Sequence, residues 1–351
     1  MSLTSGTRRV FIFALNLALT VPAGAQWVSH PTPGIPRTAD GMPNLEAPAP
    51  RTADGKPDFS GLWERQLDRF YFNATVDLKP DAVQPWAEQL FQQRTLDFGK
   101  QGMEVRCLPL GPMYSTTPFR EMKIVQTPEL IVMLYEDLTH RQIFMDGRKL
   151  ETDPNPSWMG YSVGHWEGDT LVIESNGFNT LTWLDIGGHP HTEALRVTER
   201  YRRRNFGRID TEITFDDPGA YAKPWTMAIP LALLADTSLL EYHCDNEKSL
   251  QYMLPVARPQ VAAVPAEVLA RYVGSYELPK PDGQPGRVVI TRSDGKLFWN
   301  ENESGQIELI PLSETTFVLN GSSVEFLRDE SGTYSRFHHT WVEDTREGKR
   351  R

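Results

Sequence analysis

Cysteine is scarce in this chain: 351 residues include only Cys107 and Cys244. Neither has a second cysteine at C-x-x-C spacing, which argues against paired-thiol zinc and redox frameworks. No apolar run approaches the roughly 20 residues of a membrane-spanning helix, so no membrane span is expected. Positive charge is also short. Lys and Arg number 36 against 46 Asp and Glu, a formal net charge of −10. That is the opposite of the footprint of a nucleic-acid or anionic-lipid binder. The one basic cluster, Arg200, Arg202, Arg203, Arg204 and Arg208, falls in a strand-and-turn pattern. It reads as a solvated strand edge that discourages edge-to-edge pairing. Helical periodicity is the last scarcity, and the chain is long enough for about two domains.

The N-terminus carries Arg8-Arg9, an apolar run from Val10 to Leu19, and then Ala23-Gly24-Ala25. This pattern predicts a cleavable signal peptide over 1–25, with cleavage before Gln26 and a periplasmic or secreted product. Gln26 is not cysteine, so no lipid anchor is expected. The stretch from Thr7 to Ile12 also resembles the twin-arginine export signal. In an oxidising compartment the two cysteines predict a Cys107–Cys244 disulfide that ties the start of the main domain to its end.

The expected organisation is a Pro-rich strap over 26–60, a main β-barrel domain over 61–254, a linker over 255–265, a small β domain over 266–345 and a charged tail over 346–351. The strap contains Pro-Arg-Thr-Ala-Asp-Gly twice, at 36–41 and 50–55, too short a unit for a packed repeat fold. One helix is expected near Ala82 to Phe98, with Trp86, Leu90 and Phe91 at helical spacing. Strands are expected at Met122–Gln126, Leu130–Glu136, Arg141–Met145, Leu171–Glu174, Glu193–Arg203, Ile209–Phe215, Trp225–Leu231 and Leu239–Cys244. A second meander is expected from Val288 to Trp341. Closely spaced strands with turn signals such as Asp146-Gly147 and Gly168-Asp169 indicate a mainly β protein. The expected fold is an antiparallel, calycin-like or lipocalin-like barrel with one covering helix, followed by a smaller lipocalin-like domain.

Two resemblances fit this reading. Arg271-Tyr272-Val273-Gly274-Ser275-Tyr276-Glu277-Leu278, Asp294-Gly295-Lys296-Leu297 and Val324-Glu325-Phe326-Leu327-Arg328-Asp329 resemble the lipocalin-like module appended to exported penicillin-binding-type hydrolases. That likeness implies a small barrel without catalytic residues. Pro50 to Trp63, Trp166 to Ile173, His189 to Leu195, Asp217-Pro218 and Lys223 to Thr226 are similar to segments of a family of exported hypothetical bacterial proteins. This second likeness implies export and a fold, and transfers no catalytic residue.

No motif names a reaction. Gly160-Tyr161-Ser162-Val163-Gly164 matches the nucleophile elbow, but a strand and hairpin follow where the elbow needs a helix. Ser293-Asp294-Gly295-Lys296 matches S-x-x-K but reads as a hairpin turn, and no K-T-G or S-D-N accompanies it. The richest constellation is His189, His191 and Glu193 leading into Glu199. Strand parity puts Leu195, Val197 and Tyr201 on one face together with both glutamates. Three readings stay open: structural groups, with Glu199 paired to Arg141 or another arginine; acid–base or ligand-binding groups; or metal ligands His189, His191 and Glu193. Trp158, Trp166, Trp183 and Trp225, with His165 and Arg141, are candidates to line a pocket.

The leading expectation is an exported protein that binds a small apolar or amphipathic molecule in the larger barrel. The alternatives are a hydrolase, lyase or isomerase using the His/Glu cluster, and an envelope scaffold that binds another protein. No cofactor is expected, with a divalent metal as the alternative.

Overall fold

The structure is a computed structural model that describes residues 31–97, 101–118, 120–244, 261–280, 284–301, 306–319, 322–341 and 344–351. The expected signal peptide and residues 255–260 of the expected linker lie outside these. The first ten strands are β1 (Gly61–Arg65), β2 (Met122–Gln126), β3 (Leu130–Tyr135), β4 (His140–Phe144), β5 (Tyr161–Glu167), β6 (Thr170–Asn176), β7 (Arg196–Asn205), β8 (Arg208–Asp216), β9 (Trp225–Ala228) and β10 (Leu231–Leu233). They run in sequence order, and β10 pairs with both β8 and β1. Nine strands thereby close a barrel.

The expected strand Trp225–Leu231 is two strands. Its β9 half lies along Glu212–Phe215 of β8, while β10 meets Arg208 and Ile209 of the same strand before crossing to β1. Pro230 lies at the break, where its missing N–H interrupts a ladder. The expected strand Leu239–Cys244 is irregular chain, held by Tyr242 N donating to the Glu136 carbonyl at 2.7 Å and by the Cys107–Cys244 disulfide.

Helix α1 (Pro85–Leu96) starts on Pro85, whose fixed φ suits a first turn. Its buried residues are Ala87 and Thr95. Trp86 is 42% exposed, so the expected apolar face at Trp86 and Leu90 is turned partly outward. The helix is held at its start by the Trp86 Nε1 bond to the Gly219 carbonyl at 3.0 Å and at its end over 188–189, where Arg94 donates to the Gly188 carbonyl at 2.8 Å and the Phe91 ring stacks on His189 at 3.8 Å.

The duplicated strap element is a duplicated staple. Each copy closes a small antiparallel turn, Arg37 opposite Pro43 and Arg51 opposite Pro57. In each, the threonine amide donates to a carbonyl four residues on at 2.9 Å. Each arginine then forms a two-pronged pair with an aspartate of the first barrel, Arg37 with Asp236 and Arg51 with Asp169.

The second barrel comprises β11 (Gly274–Pro279), β12 (Pro285–Ser293), β13 (Lys296–Glu301), β14 (Ile307–Pro311), β15 (Thr316–Leu319), β16 (Ser322–Arg328), β17 (Tyr334–Trp341) and β18 (Asp344–Arg350). The short helix α2 (Ala266–Leu269) contributes Val268 and Leu269 to its core. Tyr272, Tyr276, Trp299, Phe317, Phe326 and Phe337 are all fully or nearly fully buried there. The expected charged tail is a correction: residues 346–350 belong to β18, which closes the barrel against Tyr276 and Glu277. Gly348 makes this fit possible, since a Cβ there would collide with the Phe337 ring.

Candidate functional site

Alternation along β7 turns Val197, Glu199, Tyr201 and Arg203 inward. The same rule brings Trp63 and Arg65 in from β1 and Arg141 and Ile143 in from β4. The resulting polar chain is continuous. Glu199 Oε2 accepts from Arg141 Nη2 at 2.5 Å and Oε1 from Tyr201 Oη at 3.0 Å. Arg141 also donates to Ser162 Oγ at 3.0 Å and Ser175 Oγ at 2.8 Å. Arg65 donates from Nε to the Tyr114 carbonyl at 2.9 Å and from Nη2 to Tyr201 Oη at 3.1 Å.

Burial alone would push the Glu199 carboxyl up. Arg141, Arg65 and the Tyr201 hydroxyl outweigh it and hold the group below the usual carboxylate range. Burial would lower Arg141, but Glu199 raises it above its ordinary value. Burial pushes the neighbouring Tyr135 hydroxyl up to about 12. The Arg141 guanidinium and the Glu199 carboxylate are thus charged at neutral pH, with Tyr135 and Tyr201 neutral.

One seam of this barrel departs from the antiparallel pattern. β4 and β5 are parallel and register at only two pairs, Ile143 with Ser162 and Phe144 with Val163. A groove of about 510 Å³ lies along the seam, lined by Leu138, Gln142, Phe144, Trp158, Met159 and Tyr161 among others, and reaching Arg141 and Ser162. Ser162 lies within β5, 1% exposed and bonded to Arg141 and Ser175. Its G-x-S-x-G match therefore forms a strand rather than an elbow. The buried 3-10 helix Gly111–Ser115 lies nearby, and its Gly111 (φ +62°) has no room for a Cβ beside the Trp158 carbonyl and Thr182.

The histidines form a separate cluster. Asp185, fully buried, accepts from His189 Nδ1 at 2.6 Å and from the amides of Ala74, Gly188 and His189. His189 Nε2 lies 3.0 Å from Thr75 Oγ1. Thr75, His189 and Asp185 have the spacing of a relay triad, but all three are at most 7% exposed. His191 Nε2 lies 2.6 Å from Thr182 Oγ1, and Nδ1 donates to the Thr192 carbonyl at 3.0 Å. Burial, the main cause, lowers its pKa from the ordinary 6.5. His191 also lines an open groove of about 470 Å³ beside α1, with Trp86, Leu90, Arg94 and Glu193.

Glu193 is a correction. It is exposed and precedes β7, because Leu195 N donates to the Thr192 carbonyl in a turn that delays the strand to Arg196. Asp217 anchors this turn by accepting from the Thr192 amide and hydroxyl. The alternative metal set of His189, His191 and Glu193 does not come together: Glu193 is exposed, and the nitrogens of both histidines are engaged by protein groups. Among the described residues no group of three or more His, Cys, Asp or Glu is placed to hold a metal.

The aromatic candidates scatter. Trp158 lines the seam groove. Trp183 is buried with the Arg94 guanidinium 4.6 Å from its ring, and Trp225 is buried with Nε1 donating to the Ala74 carbonyl at 2.8 Å. Both belong to the core. Trp166 stacks on Phe59 at 5.9 Å, and His165 is exposed with Nε2 3.5 Å from Glu167. Sequence reading missed Arg65, Ser175, Asp185, Asp217 and Thr75. Arg65 shares strand parity with Trp63, a signal that was available.

Two closed, largely antiparallel barrels define a two-domain lipocalin-like β protein. No protein-family model and no curated protein matches the sequence. Among solved structures, the chain is similar to a protein of unknown function from the DUF3598 family of Nostoc punctiforme. The identity is 7% over 64% of this chain and 72% of that one, with a TM-score of 0.16. A likeness at that level transfers neither residues nor activity.

Proposed function

We propose that the protein is exported and binds a small amphipathic molecule in the seam groove of its first barrel. The observation that carries this reading is the groove of about 510 Å³ that joins an apolar and aromatic lining to the buried Arg141. Small-molecule sites combine such a lining with a few placed polar groups, and barrels commonly carry them. Trp158, Phe144 and Leu138 take the apolar body, while Arg141 and Ser162 orient the polar end. The Cys107–Cys244 disulfide supports an oxidising compartment. The mature protein recovered from periplasm or medium is expected to begin at Gln26.

The test is a thermal-shift screen of small amphipaths, followed by titration of the best binder against Trp158→Ala and Leu138→Glu. Each variant should bind at least about tenfold more weakly, equivalent to about 1.4 kcal/mol, and melt as the parent does. Equal affinity in both variants, or a loss confined to Trp86→Ala in the other groove, would overturn the seam as the site.

A further inference from the structure

Arg65 is 6% exposed, yet among the described residues its Nη1 has no hydrogen-bond partner. The other guanidinium nitrogens are satisfied by Tyr114 and Tyr201. A buried cationic donor left unpaired is costly, so such a group is normally met by an acceptor. Arg65 borders an inner chamber of about 10 Å³ whose lining includes Tyr114, Ser115, Tyr135, Arg141 and Glu199. The ionisable charges on that lining are two guanidiniums and one carboxylate, and Glu199 already accepts from Arg141 and Tyr201. The chamber is therefore net positive, and its free donor belongs to a cation. Its volume suits one water-sized sphere.

We propose that this chamber is a binding site for a monatomic anion of the halide class, held by Arg65 Nη1 inside the first barrel. The size of the chamber selects a single atom over a polyatomic anion, and the excess positive charge selects an anion over water. The inference is independent of what occupies the seam groove. Arg141 and Met159 line both spaces, so the chamber lies beside the seam groove.

The experiment compares thermal unfolding of the full chain in chloride, bromide, gluconate and formate at matched ionic strength, for the parent and Arg65→Met. A ligand that binds only the folded state raises stability with the logarithm of its concentration. The first barrel's transition should rise by about 3–5 °C per tenfold increase in chloride or bromide above saturation. The rise should be absent in gluconate and in Arg65→Met. General salt effects move parent and variant alike. Crystals of the parent grown in bromide should show an anomalous peak within contact of Arg65 Nη1, which keeps the test open if Arg65→Met does not fold. An ordered water in place of that peak, equal melting in chloride and gluconate, or a larger effect of formate than of chloride would each overturn the proposal.

Discussion

The two barrels solve the same geometric problem with different interiors. The second is filled by rings: Tyr272 stacks on Phe326 at 4.1 Å, and Trp299 meets Phe337 edge-on at 5.2 Å. All its neighbouring strands are antiparallel. The first mixes an apolar core with the buried Arg65, Arg141 and Glu199 and breaks its wall at the parallel β4–β5 seam. Ring packing needs shape and little direction, whereas a buried charge network must satisfy every donor and acceptor at a defined angle. A barrel that keeps such a network and an interrupted wall has the means to meet a ligand.

The largest effect that tests this contrast is expected at Glu199. Glu199→Gln conserves shape but leaves Arg141 without its counter-charge. Breaking a buried pair from one side costs about 3–5 kcal/mol, here confined to the first barrel. Replacing both partners, as Arg141→Met with Glu199→Leu, should recover most of that loss. Denaturant titration with barrel-resolved hydrogen exchange reads both; equal loss in single and double variants would show that the network does not act as a pair. Reduction of Cys107–Cys244, whose cysteines are 137 residues apart, should cost about 2–5 kcal/mol and leave exchange in the second barrel unchanged. In the second barrel, Phe326→Leu should cost only about 1–2 kcal/mol, because the rings around Phe326 tolerate a near-fitting apolar substitute.

How far these features were legible depends on whether they are local. Period-two alternation showed Glu199 facing inward with Val197 and Tyr201, and most strands follow from the same signal. Glu193 defeated it because a turn anchored by the distant Asp217 shifts the strand start, and nothing near 193 encodes that contact. The parallel seam was invisible for a similar reason: which strands become neighbours is a property of the closed barrel. Strand β18 was hidden because its Asp-Thr-Arg-Glu-Gly-Lys-Arg sequence contains no apolar side chain, and its inward residue is Gly348 beneath Phe337. Trp86 and Leu90 had helical spacing, but periodicity identifies a face without saying what covers it.

Smaller effects come from pH and again fall on the first barrel. His191 is held below its ordinary 6.5 chiefly by burial. Below that value the unfolded chain takes up a proton more readily than the folded one, so stability should fall as pH drops from 6.5. His191→Gln should flatten that slope in thermal melts between about pH 6.5 and 5; an unchanged slope would assign it to another group.

The smallest effect compares the two copies of the strap staple. Asp236 is lowered from 3.8 to about 2, first by its hydrogen bond from Arg37 and then by the Thr32 amide. Because the folded value is depressed, the stabilisation is present above the ordinary carboxylate value and is lost as pH falls toward about 2. Asp169 is lowered too, first by the Arg51 hydrogen bond. Yet the Arg51–Asp169 side chains are 52% and 60% exposed, against 28% and 24% for Arg37–Asp236. Water and salt screen the more open pair. Arg37→Met should therefore reduce the loss of stability between about pH 4 and 2 measurably, and Arg51→Met less. Equal effects would show that the staples act through charge alone, without the enclosure that distinguishes them.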